Sequence, residues 1–80
     1  MTALYVLDVP ENTSVAKVAA EAGAAVGRVG PYFEITVDGS IVVDRRATGC
    51  RHAVWYSCVA GVAGGRIVQH DKDALRVDPA

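Results

Sequence analysis

The sequence has few of the residues on which catalytic and metal sites depend. Its 80 residues include two cysteines, two histidines, one tryptophan, one methionine and one phenylalanine. No CxxC pair, no phosphate-binding glycine loop with a following Lys-Ser/Thr pair and no nucleophile elbow is present. The sequence therefore predicts no catalytic residue, no bound cofactor and no metal.

Positive charge is also scarce. The sequence has eight Lys and Arg residues and nine Asp and Glu residues, which give a net charge of -1 and a pI near 6.0. Binding to a phosphate backbone depends on an excess of cations, so we expect no nucleic-acid partner. The apolar runs are too short to cross a bilayer, and the opening MTALYVLDVP lacks a basic segment and a cleavage site. We expect a cytoplasmic protein with no membrane contact, made of one domain that spans residues 1–80.

The first third of the chain predicts a strand and then a helix. The run ALYVLDV is short, apolar and stopped by Pro10, which is typical of a strand. Polar residues that can cap a helix follow it. An apolar stripe with helical spacing then predicts a helix that ends near Gly23 to Gly27, and its members are Val15, Val18, Ala19, Ala22 and Val26.

The segment PYFEITVDGSIVVDRR predicts a hairpin around Asp38-Gly39, a dipeptide that favours two-residue turns. With that turn, the core face would hold Phe33, Ile35, Val37 and Val42. The opposite face would hold Tyr32, Glu34, Thr36, Ile41, Val43 and Arg45. Three of these side chains, Tyr32, Ile41 and Val43, are apolar and lie among charged ones. This opposite face is therefore either covered by another loop or a partner-binding surface.

The stretch GCRHAVWYSC, residues 49–58, holds both cysteines, one histidine and the only tryptophan. Its β-branched and aromatic content favours a strand. In a strand Cys50 and Cys58 would lie roughly 26 Å apart, too far for a disulfide or a shared ion. We therefore expect two free thiols. Cys50 and His52 could meet, but a zinc site would need His70 or a second chain as well.

The last third predicts two strands and the turns around them. The glycines at 61, 64 and 65 indicate a bend between strands. The segment QHDKD indicates a polar turn with a solvated His70, and ALRV indicates a closing strand. The predicted fold is α+β, a mostly antiparallel sheet with one main helix packed on a face, in the order β-α-β-β-β-β.

This order of elements resembles that of the MmoB/DmpM family of monooxygenase effector proteins. PYFEITVDGSIVVDRRAT is similar to the family's proline, apolar strand, glycine turn and second strand with a basic pair before Thr. YSCVAGVAGGRIVQHDKDALRV is similar to its strand, Ala-Gly stretch, acidic segment and closing strand. The sequence departs from the family between Arg46 and Trp55, where the family has a short acidic helix and ATGCRHAV is too short to form one.

The resemblance implies a regulatory subunit without a cofactor, which docks on a diiron hydroxylase and tunes its activity and coupling. It does not identify the hydroxylase or the substrate. The residues expected at the partner interface are Tyr32, Ile41, Val43, Arg45 and Trp55. Two alternatives remain open: a small homodimeric α+β binding protein that associates through the same face, and a metal or thiol module that uses Cys50, His52 and His70.

Overall fold

A computed structural model describes all 80 residues. The chain forms seven strands and three α-helices, with one turn of 3-10 helix at Pro10–Asn12 before the first helix. The strands are β1 (Thr2–Leu7), β2 (Ala25–Val29), β3 (Tyr32–Val37), β4 (Ile41–Asp44), β5 (Val59–Ala63), β6 (Gly65–His70) and β7 (Ala74–Pro79). The helices are α1 (Thr13–Glu21), α2 (Arg45–Thr48) and α3 (His52–Ser57). The predicted α+β class, antiparallel pairing and single main helix are confirmed.

The strands form two antiparallel sheets. The first has the order β2-β3-β1-β5, and the second has the order β4-β7-β6. The chain changes sheets three times: between β3 and β4, between β4 and β5 through α2 and α3, and between β5 and β6. At the third crossing Gly64 has a φ of 66°, a conformation that glycine adopts at little cost. The bend predicted from the three glycines is confirmed.

One core joins the two sheets and the helices. The sheets contact each other through β1 and β7, and α1 contacts strands of both sheets. Leu4, Ile35, Val43, Leu75 and Trp55 are completely buried in this core. Helix α1 contributes only Val15, Ala16 and Ala19 to it. Because these side chains are small, the helix can approach the strands closely. Val, Ile and Leu form most of the core, together with the aromatic side chains of Phe33 and Trp55.

Helix α1 ends earlier than the apolar stripe predicts. It stops at Glu21, Gly23 follows with a φ of 104°, and Val26 belongs to β2. The stripe was misleading because Val26 continues the helical spacing beyond the glycine that ends the helix. Strand β2 was not predicted, and it forms the hairpin with β3 across Gly30-Pro31, with Val29 paired to Tyr32.

The hairpin predicted around Asp38-Gly39 is wrong. Strands β3 and β4 lie in different sheets and do not pair, so Asp38-Gly39 is the link between sheets. Gly39 has a φ of 125°, whereas Asp38 is not in the left-handed region that a two-residue hairpin turn would require. The change of sheet also turns β4 over: Ile41 and Val43 point into the core, and Val42 is 43% exposed.

The strand predicted for residues 50–58 is also wrong. This part of the chain forms α3, and α2 precedes it, separated by Gly49 with a φ of 68°. The segment that seemed too short for a helix therefore contains the end of α2 and the start of α3. Cys50 and Cys58 are nevertheless both free thiols. The expected absence of a bridge stands, but its stated reason, separation along a strand, does not.

Candidate docking surface

The outer face of the first sheet is not covered by any other element of the chain. The strand register places Tyr5 between Glu34 and Gly61, and Tyr32 between Leu7 and Val29. Tyr32 is 37% exposed, and Leu7 and Val29 are exposed beside it. We call this surface the tyrosine face, and define it by Tyr5, Leu7, Val29, Tyr32, Ala60 and Gly61.

A shallow depression of about 350 Å³ lies on the tyrosine face, lined by Tyr5, Val29, Tyr32, Ala60 and Gly61. The depression forms because β5 contributes the small residues Ala60 and Gly61 beside the tyrosines. A Cβ added at Gly61 would meet no atom within 4 Å. The two aromatic rings therefore stand above a floor that another protein surface can approach closely.

Tyr5 is fixed on this face by a hydrogen bond. Its hydroxyl donates to Glu34 Oε2 over 2.8 Å, from the neighbouring strand. This bond, then desolvation and the carboxylate charge, raise the pKa of Tyr5 above its usual value of 10.0. The face thus presents one oriented tyrosine, one freer tyrosine and a single carboxylate among apolar groups.

The structure separates the five residues predicted to form the partner interface. Ile41, Val43 and Trp55 are buried in the core and present no surface, which corrects the expectation that they lie on an exposed face. Ile41 and Val43 lie on the side of β4 that faces the core, and Trp55 lies on the side of α3 that faces it. The register predicted for β4 and the strand predicted over residues 50–58 were both wrong. Tyr32 alone lies on the tyrosine face.

Arg45 lies at the surface, but its side chain is engaged within the chain. At the start of α2 its backbone N–H donates to Asp73 O over 3.0 Å, and its Nη1 donates to Lys72 O over 3.1 Å. The guanidinium therefore holds the turn between β6 and β7 against α2. A substitution of Arg45 would disturb this turn as well as any contact with a partner.

The same turn is anchored from α3. The buried Trp55 donates from Nε1 to Asp71 O over 2.6 Å. His70 lies at 5.5 Å from the Trp55 ring and 5.2 Å from the Tyr56 ring, measured between centroids. Its Nε2 is 3.1 Å from Trp55 O. His70 is thus a half-buried packing residue, and the expectation that it is a solvated turn residue is wrong.

The residues of the alternative metal or thiol module are not gathered into one site. Cys50 Sγ lies 3.7 Å from Ser14 Oγ, in a depression of about 190 Å³ between α1 and α3. His52 and His70 instead flank Tyr56, with His52 at 4.7 Å from its ring centroid. No group of three or more His, Cys, Asp or Glu side chains in the chain is arranged to hold a metal ion.

Sequence reasoning missed Tyr5, Leu7 and Val29 as members of this surface. The signal for the first two was present, because Tyr5 and Leu7 alternate with the core residues Leu4 and Val6 in ALYVLDV. Val29 was missed together with the whole of β2. None of the helices is long and apolar enough to cross a membrane.

Comparison with known proteins shows the fold but no family. The sequence matches no protein-family model, and no curated protein matches it significantly. Among solved structures, a chain in the structure of a phenol hydroxylase–regulatory protein complex superposes on this chain with a TM-score of 0.78. The two sequences are 15% identical, and the match covers 99% of this chain and 98% of the other. The likeness therefore extends over the entire two-sheet architecture of a chain of nearly equal length.

Proposed function

We propose that this protein is a regulatory, non-catalytic effector that docks on the hydroxylase component of a soluble diiron monooxygenase and tunes its activity and coupling. The observation that carries the proposal is the likeness in fold, over essentially the full length of both chains, to a chain from a phenol hydroxylase–regulatory protein complex. The segments PYFEITVDGSIVVDRRAT and YSCVAGVAGGRIVQHDKDALRV, which resemble segments of the effector family, also support it.

The tyrosine face is the docking surface in this proposal. Tyrosine is among the residues that most often dominate the energy of an interface, and a flat apolar surface around it excludes water on binding. The face combines two tyrosines with Leu7 and Val29 over a floor of small residues. An effector without chemistry of its own acts by binding two states of its partner with different affinities. In this proposal, contacts on the tyrosine face produce the difference in affinity between the two states of the partner.

Substitution of Tyr32 tests the docking surface, with Tyr56 as the matched control. Both tyrosines are similarly exposed, at 37% and 40%, but Tyr56 lies on α3 away from the tyrosine face. We expect Tyr32→Ala to weaken binding to the diiron hydroxylase encoded in the same genome by about 1 kcal/mol or more, a factor of about five. Tyr56→Ala should bind as the unmodified chain does. Titration of labelled protein with the hydroxylase measures both, and equal losses for the two variants would reject this surface.

Self-association through the same face is the second candidate function, favoured by the exposure of Leu7, Val29 and Tyr32 together. Light scattering distinguishes it from the first. A dimer that Tyr32→Ala dissociates, with no binding to the hydroxylase, would establish the homodimeric binding protein instead of the effector.

A further inference from the structure

Strand β2 is an open edge of the first sheet. It pairs only with β3, and all five of its residues, Ala25 to Val29, are exposed. In antiparallel pairing every second residue directs its N–H and C=O away from the partner strand. The outer side of β2 therefore offers a row of backbone donors and acceptors with no partner in the chain.

The other sheet edges are short or irregular. Strand β6 has a bulge between Ile67 and Gln69, the pairing of β5 with β1 shifts register between Tyr5 and Val6, and β4 has only four residues. Proteins usually protect edge strands with prolines, bulges or charges. Strand β2 has no proline, its pairing with β3 is regular, and its one charge, Arg28, is bound to Asp8 over 2.7 Å. The edge is thus open to a further strand.

A hollow lies beside this edge on the inner side of the sheet. Its volume is about 430 Å³, and Val26, Gly27, Arg28 and Phe33 line it. The Phe33 ring forms an apolar floor, with the guanidinium carbon of Arg28 5.4 Å from its centroid. A strand added to β2 would direct every second side chain into this hollow. In such complexes the main chain supplies affinity and the pockets beside the edge supply specificity.

We propose that β2 is a peptide-binding edge that pairs with an extended antiparallel segment of another protein. The segment carries an apolar side chain opposite Val26 and an acidic side chain opposite Arg28. The apolar side chain packs against Val26 and Phe33 in the hollow. The acidic one pairs with the guanidinium, of which only Nε is engaged, by Asp8. The site adjoins the tyrosine face, with which it shares Val29, and its test requires no hydroxylase.

A second copy of β2 does not meet these requirements. Antiparallel pairing of two copies about Gly27 places Arg28 of each copy opposite Val26 of the other. The two arginines would then be diagonal neighbours on the same side of the sheet, with their Cα atoms about 7–8 Å apart and no added carboxylate between them. The charge of the strand therefore favours an acidic segment over its own copy.

The probe is the acetylated and amidated peptide TTETLTT, in which antiparallel pairing sets the acid opposite Arg28 and the leucine opposite Val26. We expect it to shift the backbone amide resonances of residues 25–29 of the ¹⁵N-labelled protein and to slow their hydrogen exchange. The peptide TTKTLTT should bind about two- to fivefold more weakly, the scale of one exposed ion pair. Arg28→Glu should reverse this preference between the peptides.

Substitution at two exposed edge valines supplies the matched control. Val26→Lys places a cation at the hollow and should weaken binding of TTETLTT at least about fivefold, whereas Val68→Lys on β6 should leave it unchanged. Amide shifts confined to the tyrosine face, or no shift at all on β2, would overturn the proposal. So would shifts of β2 that depend on protein concentration without peptide, since these would show that β2 pairs with its own copy.

Discussion

The two thiols of the chain lie in different surroundings. Cys58 is 2% exposed in the core, whereas Cys50 is half-buried beside Ser14. Burial, reinforced by the charge of Cys50, raises the pKa of Cys58 to about 11. Because the thiolate is the reactive form, Cys58 is both shielded and protonated at neutral pH.

We therefore expect one thiol to react with a disulfide reagent in the native protein at neutral pH and two in the unfolded protein without reductant. Cys50→Ser should abolish the native reaction, and Cys58→Ser should leave it. A native protein in which both thiols react at similar rates would show that Cys58 is not buried as described.

Two aspartates make the stability of the fold depend on pH in the acid range. Hydrogen bonds from the backbone N–H groups of Asp73 and Ala74, then from Gln69, lower the pKa of Asp71 below 3.8. Bonds from Arg76 and Ser40 lower that of Asp78. A depressed carboxyl pKa in the folded state contributes stability above the unfolded value, and this stability is lost as pH falls through the folded value.

The free energy of unfolding should therefore fall as the pH drops below about 4, and Asp71→Asn should flatten this decline. Asparagine can still accept the two backbone bonds, so the turn is kept while the charge is removed. Asp38→Asn is the control, because Asp38 is exposed and accepts no hydrogen bond in the chain. Urea unfolding across the acid range measures the slope, and identical slopes for the two variants would contradict the role of Asp71.

At the level of elements, the crossing from β5 to β6 leaves less room for a side chain than any other glycine position in the chain. Gly64 has a φ of 66°, and a Cβ added there would clash with the backbone oxygen of Met1. Gly61, three residues earlier, has no atom within 4 Å of such a Cβ. The two glycines differ in steric demand, although both lie in the same Ala-Gly stretch of the sequence.

Gly64→Ala should destabilise the protein by about 2–4 kcal/mol, because it combines a backbone clash with an unfavourable φ. Gly61→Ala should change the stability by less than about 0.5 kcal/mol. Thermal unfolding followed by circular dichroism measures both. Equal melting temperatures for the two variants would show that the crossing is not as close as described.

The elements that could be predicted are those whose signals are local. β1 and β7 are short apolar runs between turn residues, and the glycine bend marks the crossing near Gly64. β2 could not be predicted, because Val26 continues the spacing of α1. Helix α3 could not be predicted either, since its valine, tryptophan and tyrosine favour a strand locally. Its helical form places Trp55 in the core and within reach of Asp71, a tertiary contact that overrides the local preference.

The candidate surface was only partly predictable for a related reason. The exposure of Tyr32 follows from its alternation with Phe33 along β3, but the placement of Ile41 and Val43 depends on a change of sheet at Asp38-Gly39. A local sequence does not distinguish a turn within one sheet from a link between two. The register of β4, and with it the burial of both residues, could be read only from the folded chain.

At the scale of the whole molecule, two sheets and a thin core support two open features, the tyrosine face and the β2 edge. Val29 belongs to both, so the two surfaces are adjacent. The fold is similar to that of a chain from a hydroxylase–regulatory protein complex. In the proposed role, this protein does no chemistry itself and changes the reaction at the active site of its partner. That role predicts an effect on the partner's reaction and none on substrate by the isolated chain.

The most direct measurement is the ratio of hydroxylated product to NADH consumed, with the diiron hydroxylase and reductase encoded in the same genome. Our account predicts that the ratio rises when this protein is added, that Tyr32→Ala shifts the rise to higher protein concentration, and that Tyr56→Ala does not. A ratio that stays the same at saturating protein, with a folded chain and active hydroxylase, would contradict the effector function.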